Sequence, residues 1–142
     1  MDETNNLITF RNVDLEIESR EPIDKIIEDF GENVMVLYHR AEPKRHFASF
    51  EMAHTDGDAE TIVGVFCTLI YGLEEEARQQ WDACVTRNFD IGYESGEAPH
   101  SYQSILHHET IEAVAEIGGA IVITIYPVYK DPKPATPVDP LA

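Results

Sequence analysis

The stretch that decides the fold runs from Arg87 to Tyr126 and reads RNFDIGYESGEAPHSYQSILHHETIEAVAEIGGAIVITIY. Its first part alternates apolar and polar residues over Phe89–Glu94, as a half-buried strand does. After a turn, the pattern predicts a second strand over Tyr102–His107 and a short helix with Ile111, Val114 and Ala115 on its apolar stripe. The run of Ile and Val over Ala120–Tyr126 is typical of a strand buried on both faces, so we expect it in the centre of the sheet.

The chain before this stretch supplies further elements of the same kinds. Asp14, Glu16 and Glu18 alternate with Val and Ile or Leu, which predicts a strand with acids on its solvent side. An apolar stripe at helical spacing ends at Gly31, and a hairpin with its loop over Ala41–Arg45 follows. Two helical pieces, separated near Gly72, then lead back to Arg87.

This order of elements, β-α-β-β-α-(α)-β-β-α-β, predicts one α+β domain over residues 1–130. We expect an antiparallel or mixed sheet with helices packed on one face, of the ferredoxin-like type. Residues 131–142 carry Pro at four positions and no periodicity, which predicts an extended Pro-rich tail.

The composition is ordinary for a globular protein except in its charge. The chain has 142 residues and a formal net charge of −17 at pH 7. Such a charge disfavours binding to nucleic acids and anionic membranes, and it favours a basic protein as partner. The polar, acidic N-terminus has neither the basic region nor the apolar region of a signal peptide, and the longest apolar run is too short to span a membrane, so we expect a cytoplasmic protein. Cys67 and Cys84 lie in apolar surroundings and are expected to be buried, reduced thiols.

The basic residues are unevenly distributed along the chain. Neither 46–77 nor 88–129 contains Lys or Arg, although both contain several Asp and Glu. Three basic residues instead cluster at one hairpin tip, around Lys44. We expect the acids of the exposed strand faces to form a negative surface that attracts a basic partner, with five residues as its candidates: Asp14, Glu16, Glu18, Asp90 and Glu94.

Several segments resemble one protein family. The run from Trp81 to Cys84, the segment Asp90–Gly96 (DIGYESG), and a helix ending at Gly118-Gly119 before an Ile-rich strand are similar to a family of uncharacterised bacterial α+β proteins. The family has no assigned activity. The chain also resembles small acidic immunity proteins, and this resemblance implies an inhibitory, non-enzymatic binding role.

An alternative function is a small enzyme or ligand-binding protein. Asp90 and Glu94 would supply carboxylates and His100 an imidazole that returns after the turn. Trp81 could line the same pocket and stack on a ligand. The spacing of the two carboxylates along one strand is long for a catalytic dyad, so we assign no catalytic residues. A structural or oligomerisation module is a third possibility.

The histidines do not predict a metal site. His107 and His108 are adjacent and point in different directions, and no His pair has the spacing to a Cys pair that a zinc site requires. Phosphate-binding and dinucleotide-binding glycine motifs are also missing from the sequence. We therefore expect neither a metal nor a cofactor.

Overall fold

The computed structural model describes residues 7–98 and 100–128. The predicted Pro-rich tail lies outside the described residues. The elements in chain order are β1 (Thr9–Ser19), α1 (Asp24–Phe30), a 3-10 turn (Gly31–Asn33), β2 (Val34–Glu42), β3 (Arg45–Met52), α2 (Ala59–Tyr71), α3 (Glu75–Ala83), β4 (Thr86–Glu94), α4 (His108–Glu116) and β5 (Ala120–Tyr126).

The strands form one mixed sheet with the spatial order β2-β3-β1-β4-β5. The pairs β2–β3, β3–β1 and β1–β4 are antiparallel, and the pair β4–β5 is parallel. The predicted α+β class with an antiparallel or mixed sheet is therefore confirmed. The ferredoxin-like type stays a prediction.

The core lies between the sheet and the helices, on one face of the sheet. Val13, Leu15 and Ile17 of β1 are buried and belong to one apolar cluster with side chains of α1, α2 and α3. Phe89 and Ile91 of β4 join the same cluster, as their alternation with polar residues predicts. The opposite face carries the polar residues of the same strands, which leaves it open to solvent.

Local signals in the sequence explain where the helices begin and end. Asp58 accepts a hydrogen bond from the backbone N–H of Thr61 at 2.9 Å, which caps the N-terminus of α2. Gly72 ends that helix, as the sequence predicts. Gly31 ends α1 with a φ of 52°, a backbone conformation that favours glycine. The β2–β3 hairpin closes through a turn at Pro43 and Lys44.

Three predictions about the stretch from Arg87 to Tyr126 are wrong. Residues 102–107 form no strand, because β5 pairs parallel to β4 and the chain between them must cross over the sheet before it can return. Strand β5 occupies an edge of the sheet and not its centre. Of the predicted helix stripe, Val114 is buried, but Ile111 is 53% exposed and Ala115 is also exposed, because Ile117 faces the core together with Val114.

One arginine connects the elements of this stretch. The guanidinium of Arg87 donates hydrogen bonds to the carbonyl oxygens of Trp81 at 3.0 Å, Cys84 at 2.8 Å and Gly118 at 2.9 Å. Gly118 has a φ of 72°, and a side-chain carbon there would lie 2.7 Å from the guanidinium. Arg87 therefore links the ends of α3 and α4 to the start of β4. Gly118 leaves space for the guanidinium because it has no side chain.

Candidate functional site

The open face of the sheet carries most of the predicted acidic surface. Asp14, Glu16 and Glu18 of β1 are half-buried and point away from the helices, since the residues between them fill the core. Asp90 of β4 points to the same side, because Phe89 and Ile91 are buried on the other. The predicted candidates on β1 and Asp90 thus share one face.

The strand register places three carboxylates in a row across the sheet. Asp14 on β1 lies directly opposite Glu51 on β3 and directly opposite Asp90 on β4. Side chains opposite one another in antiparallel strands have Cβ atoms about 5 Å apart, and like charges at such positions repel. Glu16 adds a fourth carboxylate, which lies close enough to Asp90 for the two charges to repel each other.

Two of the predicted acids are neutralised within the chain. Glu94 forms an ion pair with Arg11 at 2.6 Å, and Glu18 forms one with Arg45 at 3.5 Å. The ion pairs found among the described residues do not include any of the other four acids on this face. We call these four the carboxylate cluster: Asp14, Glu16, Glu51 and Asp90.

Burial and repulsion by neighbouring carboxylates make it costly to ionise Asp14 and Glu16. Partial burial, then repulsion by Glu51, Asp90 and Glu16, raises the pKa of Asp14 from 3.8 to about 6. Burial and the charge of Asp90 also raise the pKa of Glu16. Near neutral pH the centre of this face therefore holds negative charge against an unfavourable free energy, which a cationic group placed over it would offset.

Neutral hydrogen-bond donors fix the positions of two of these carboxylates. The Thr124 hydroxyl on β5 donates to Oδ1 of Asp90 at 2.6 Å, and the Asn12 amide on β1 donates to Oδ1 of Asp14 at 3.2 Å. Gly92 makes room for that amide, because a side-chain carbon at Gly92 would lie 2.5 Å from Oδ1 of Asn12. Asp14 and Asp90 are therefore held in place by neutral donors and not by opposite charges.

The sequence does not reveal Glu51, or the hydrogen-bond donors Asn12 and Thr124, as part of this site. Glu51 stands beside Asp14 only because of the β1–β3 register, and the spacing of residues along the chain does not specify that register. Thr124 lies within one predicted strand and Asn12 lies just before the alternating residues of another. Neither residue belongs to a distinctive motif. Alternation along β3 is the one signal that could have placed Glu51 on the open face.

The residues of the alternative pocket do not come together. Trp81 is fully buried, and its indole Nε1–H donates to the carbonyl oxygen of Ile117 at 2.9 Å. It therefore offers no surface on which a ligand could stack, and it lies on the helix side of the sheet, opposite to Asp90. His100 is exposed in the coil after β4, and Glu94 is paired with Arg11.

The basic hairpin tip is also engaged with neighbouring side chains. Arg40 lies over the ring of Tyr38, 5.6 Å from its centroid, and pairs with Glu42 at 3.5 Å. Arg45 pairs with Glu18, as described above. Lys44 is exposed at the turn with a φ of 61°. The two arginines of this tip are thus partly neutralised, which weakens it as a phosphate-binding site.

Near the carboxylate cluster the described residues form a cavity, and elsewhere they bury two cysteine thiols. A cavity of about 280 Å³ lies at the end of the sheet beside Glu51, and its lining includes Arg11 and Asp56 but no histidine. Cys67 and Cys84 are both buried and free, and burial raises each thiol pKa to about 11. Over residues 7–98 and 100–128, no group of three His, Cys, Asp or Glu side chains is arranged to hold a metal ion.

Comparisons of the chain with models of protein families, with curated proteins and with solved structures find no match. The resemblance to the uncharacterised bacterial family and to immunity proteins therefore stays a prediction. In the described part of the chain, no helix is both long enough and apolar enough to cross a membrane.

Proposed function

We propose that this protein is a non-enzymatic, immunity-like binding protein that engages a basic partner through the open face of its sheet. The observation that carries the proposal is the carboxylate cluster, four half-buried acids that lack an ion pair among the described residues. A Lys or Arg side chain of a partner would supply a positive charge that no ion pair among the described residues brings to these four acids. Binding would thus relieve the repulsion within the carboxylate cluster, in addition to forming new contacts.

The shape and the charge of this face support a protein partner more than a small substrate. The carboxylate cluster spreads over three adjacent strands of a sheet whose helices lie on the other side. Such a surface is broad and open, whereas a small substrate is usually enclosed in a cleft. The net charge of −17 would also accelerate association with a basic protein at low ionic strength.

The proposal is tested by neutralising the carboxylate cluster and comparing the result with a matched variant. The first variant carries Asp14→Asn, Glu16→Gln and Asp90→Asn. The control carries Glu21→Gln, Glu32→Gln and Glu112→Gln, three exposed acids outside the carboxylate cluster. Both lose the same total charge, so the difference between them reports the position of the charge.

The measurement has two steps. A pull-down from the native lysate at ~50 mM salt, eluted at ~500 mM, identifies basic proteins that are held by charge. Surface plasmon resonance with the captured, purified protein then compares the three chains. We expect the carboxylate-cluster variant to associate at least about tenfold more slowly than the control. Equal losses in the two variants would show a general effect of net charge and would refute the proposed site.

A further inference from the structure

Strand β5 lies at one edge of the sheet that the described residues form. It pairs with β4 over seven consecutive residue pairs without any irregularity, from Asn88 opposite Ala120 to Glu94 opposite Tyr126. Among residues 7–98 and 100–128, no strand pairs with its other edge. The backbone N–H and C=O groups along that edge are therefore available to another strand.

This edge lacks the features that usually prevent strands from associating. Natural sheets protect their edges with charged residues, proline or bulges. Strand β2, at the opposite edge, has a bulge between Val36 and Tyr38 and carries Arg40 and Glu42. Strand β5 has neither a bulge nor a charged residue over Ala120–Tyr126. The two edges of one sheet thus differ in how well they resist pairing.

The side chains of β5 add an apolar surface next to the open edge. Ile121, Ile123 and Ile125 lie on the helix side of the sheet and are 37%, 54% and 65% exposed. A cavity of about 310 Å³ continues this surface, and its lining includes Tyr93 and Tyr102. Three adjacent exposed isoleucines beside a groove are more than the scattered apolar residues of an ordinary surface.

We propose that this edge binds β5 of a second copy of the chain, in antiparallel orientation about a two-fold axis at Ile123. Directly opposite residues then point to the same face, so Ile121 meets the partner's Ile125, and Ile123 meets the partner's Ile123. On the other face, Val122 meets the partner's Thr124. The sequence of β5 is thus complementary to itself in this register, and the two sheets join into one with ten strands.

The uncharged sequence of β5 is compatible with a second copy as the occupant. Two molecules that each carry −17 repel each other, and a contact surface without acidic residues keeps this repulsion smallest. Strand β5 meets this condition over its whole length. The carboxylate cluster lies on the opposite face from the exposed isoleucines, so it remains accessible in the dimer and the two proposals are independent.

The oligomeric state of the full chain tests this inference. Sedimentation velocity is measured over ~1 to ~300 μM protein, at ~50 and ~500 mM salt. We expect a concentration-dependent dimer that becomes tighter at high salt, because salt screens the repulsion between two acidic chains. Binding of a basic partner to the carboxylate cluster has the opposite salt dependence, so failure of one proposal is distinguishable from failure of the other.

Two lysine substitutions locate the interface. Ile123→Lys places a charge in the centre of the proposed contact, and Ile111→Lys places the same charge on α4, where Ile111 is 53% exposed. We expect Ile123→Lys to weaken dimerisation at least about 30-fold and Ile111→Lys to change it less than about threefold. Ile125→Lys, at a position 65% exposed, serves as a second variant if Ile123→Lys unfolds.

Three results would overturn the inference. The wild-type chain could stay monomeric at every concentration and salt, or Ile111→Lys could dissociate the dimer as strongly as Ile123→Lys. A monomer whose outward-facing β5 amides are nonetheless protected from hydrogen exchange would show that another segment of the same chain, such as residues 129–142, covers the edge.

Discussion

Asp14 on β1 lies directly opposite Asp90 on β4, and Glu51 flanks Asp14 from the other side. Such an arrangement favours the protonated form of Asp14, whose pKa burial and these neighbours raise from 3.8 to about 6. The folded state consequently holds more protons than the unfolded state between these two pH values. The free energy of unfolding therefore falls as pH rises from about 4 to about 6, because Asp14 ionises less readily in the folded state. Above about pH 6 the full cost of the ionised Asp14 lowers the stability.

Asp14→Asn should remove this cost. Because a pKa shift of one unit corresponds to about 1.4 kcal/mol and solvent screens the half-exposed carboxyl, we expect a gain of about 1–2 kcal/mol in the free energy of unfolding at pH 7.5. The gain should become small near pH 4, where the carboxyl is protonated in the native state and partly protonated in the unfolded state. Urea unfolding at both pH values measures it.

Glu18→Gln is the matched control for this experiment. Glu18 lies on the same strand and the same face, but it pairs with Arg45 at 3.5 Å and does not belong to the carboxylate cluster. Loss of an exposed ion pair should change stability by less than about 1 kcal/mol. A loss of stability in Asp14→Asn at pH 7.5, or a gain that is equally large at pH 4, would contradict repulsion within the carboxylate cluster.

The sequence predicts which face of each strand is buried, but not which strand lies beside which. Alternation correctly places Leu15 and Phe89 in the core and Asp14 and Asp90 on the open face. Pairing is a property of the tertiary structure, so the contact between Asp14 and Glu51 is not visible in the sequence.

The error at β5 has a physical cause. A continuous run of Ile and Val indicates that both faces of a strand avoid water, and in most proteins a central position provides this. Here Ile123 and Ile125 remain exposed at the sheet edge. The prediction used the apolar run as evidence for burial within one chain, whereas burial against a second copy, as we propose, satisfies the same pattern. Only the sheet order distinguishes the two.

Arg87 gives a prediction about stability. It donates hydrogen bonds to the carbonyl oxygens of Trp81, Cys84 and Gly118, so it contacts two chain segments at once. Lysine keeps the charge but lacks the planar, forked arrangement of donors, and it should leave at least one carbonyl unsatisfied. We expect Arg87→Lys to lower the free energy of unfolding by about 2 kcal/mol.

Arg78→Lys provides the comparison for Arg87→Lys. Arg78 pairs with Asp82 at 3.2 Å on the surface of α3, and lysine can retain that interaction. We expect a change below about 0.5 kcal/mol. Chemical denaturation of both variants at one pH measures their free energies of unfolding. Equal losses in the two variants would show that the Arg87 hydrogen bonds contribute no more than a surface ion pair.

The cap of α2 gives the last prediction. Asp58 accepts a hydrogen bond from the backbone N–H of Thr61 at 2.9 Å, and this bond lowers the pKa of Asp58 below its ordinary value of 3.8. A lowered pKa means that the ionised cap stabilises the folded state above pH 3.8 and that this contribution is lost as pH falls through the folded pKa. Asp58→Ala should therefore lower the Tm by several degrees at pH 7 and by much less near pH 3.

Asp56→Ala, two residues earlier in the same exposed loop, removes a carboxylate that does not cap the helix. Calorimetry on both variants separates the two effects, because a change in net charge alone would shift both Tm values equally, whereas the cap predicts a drop for Asp58→Ala alone.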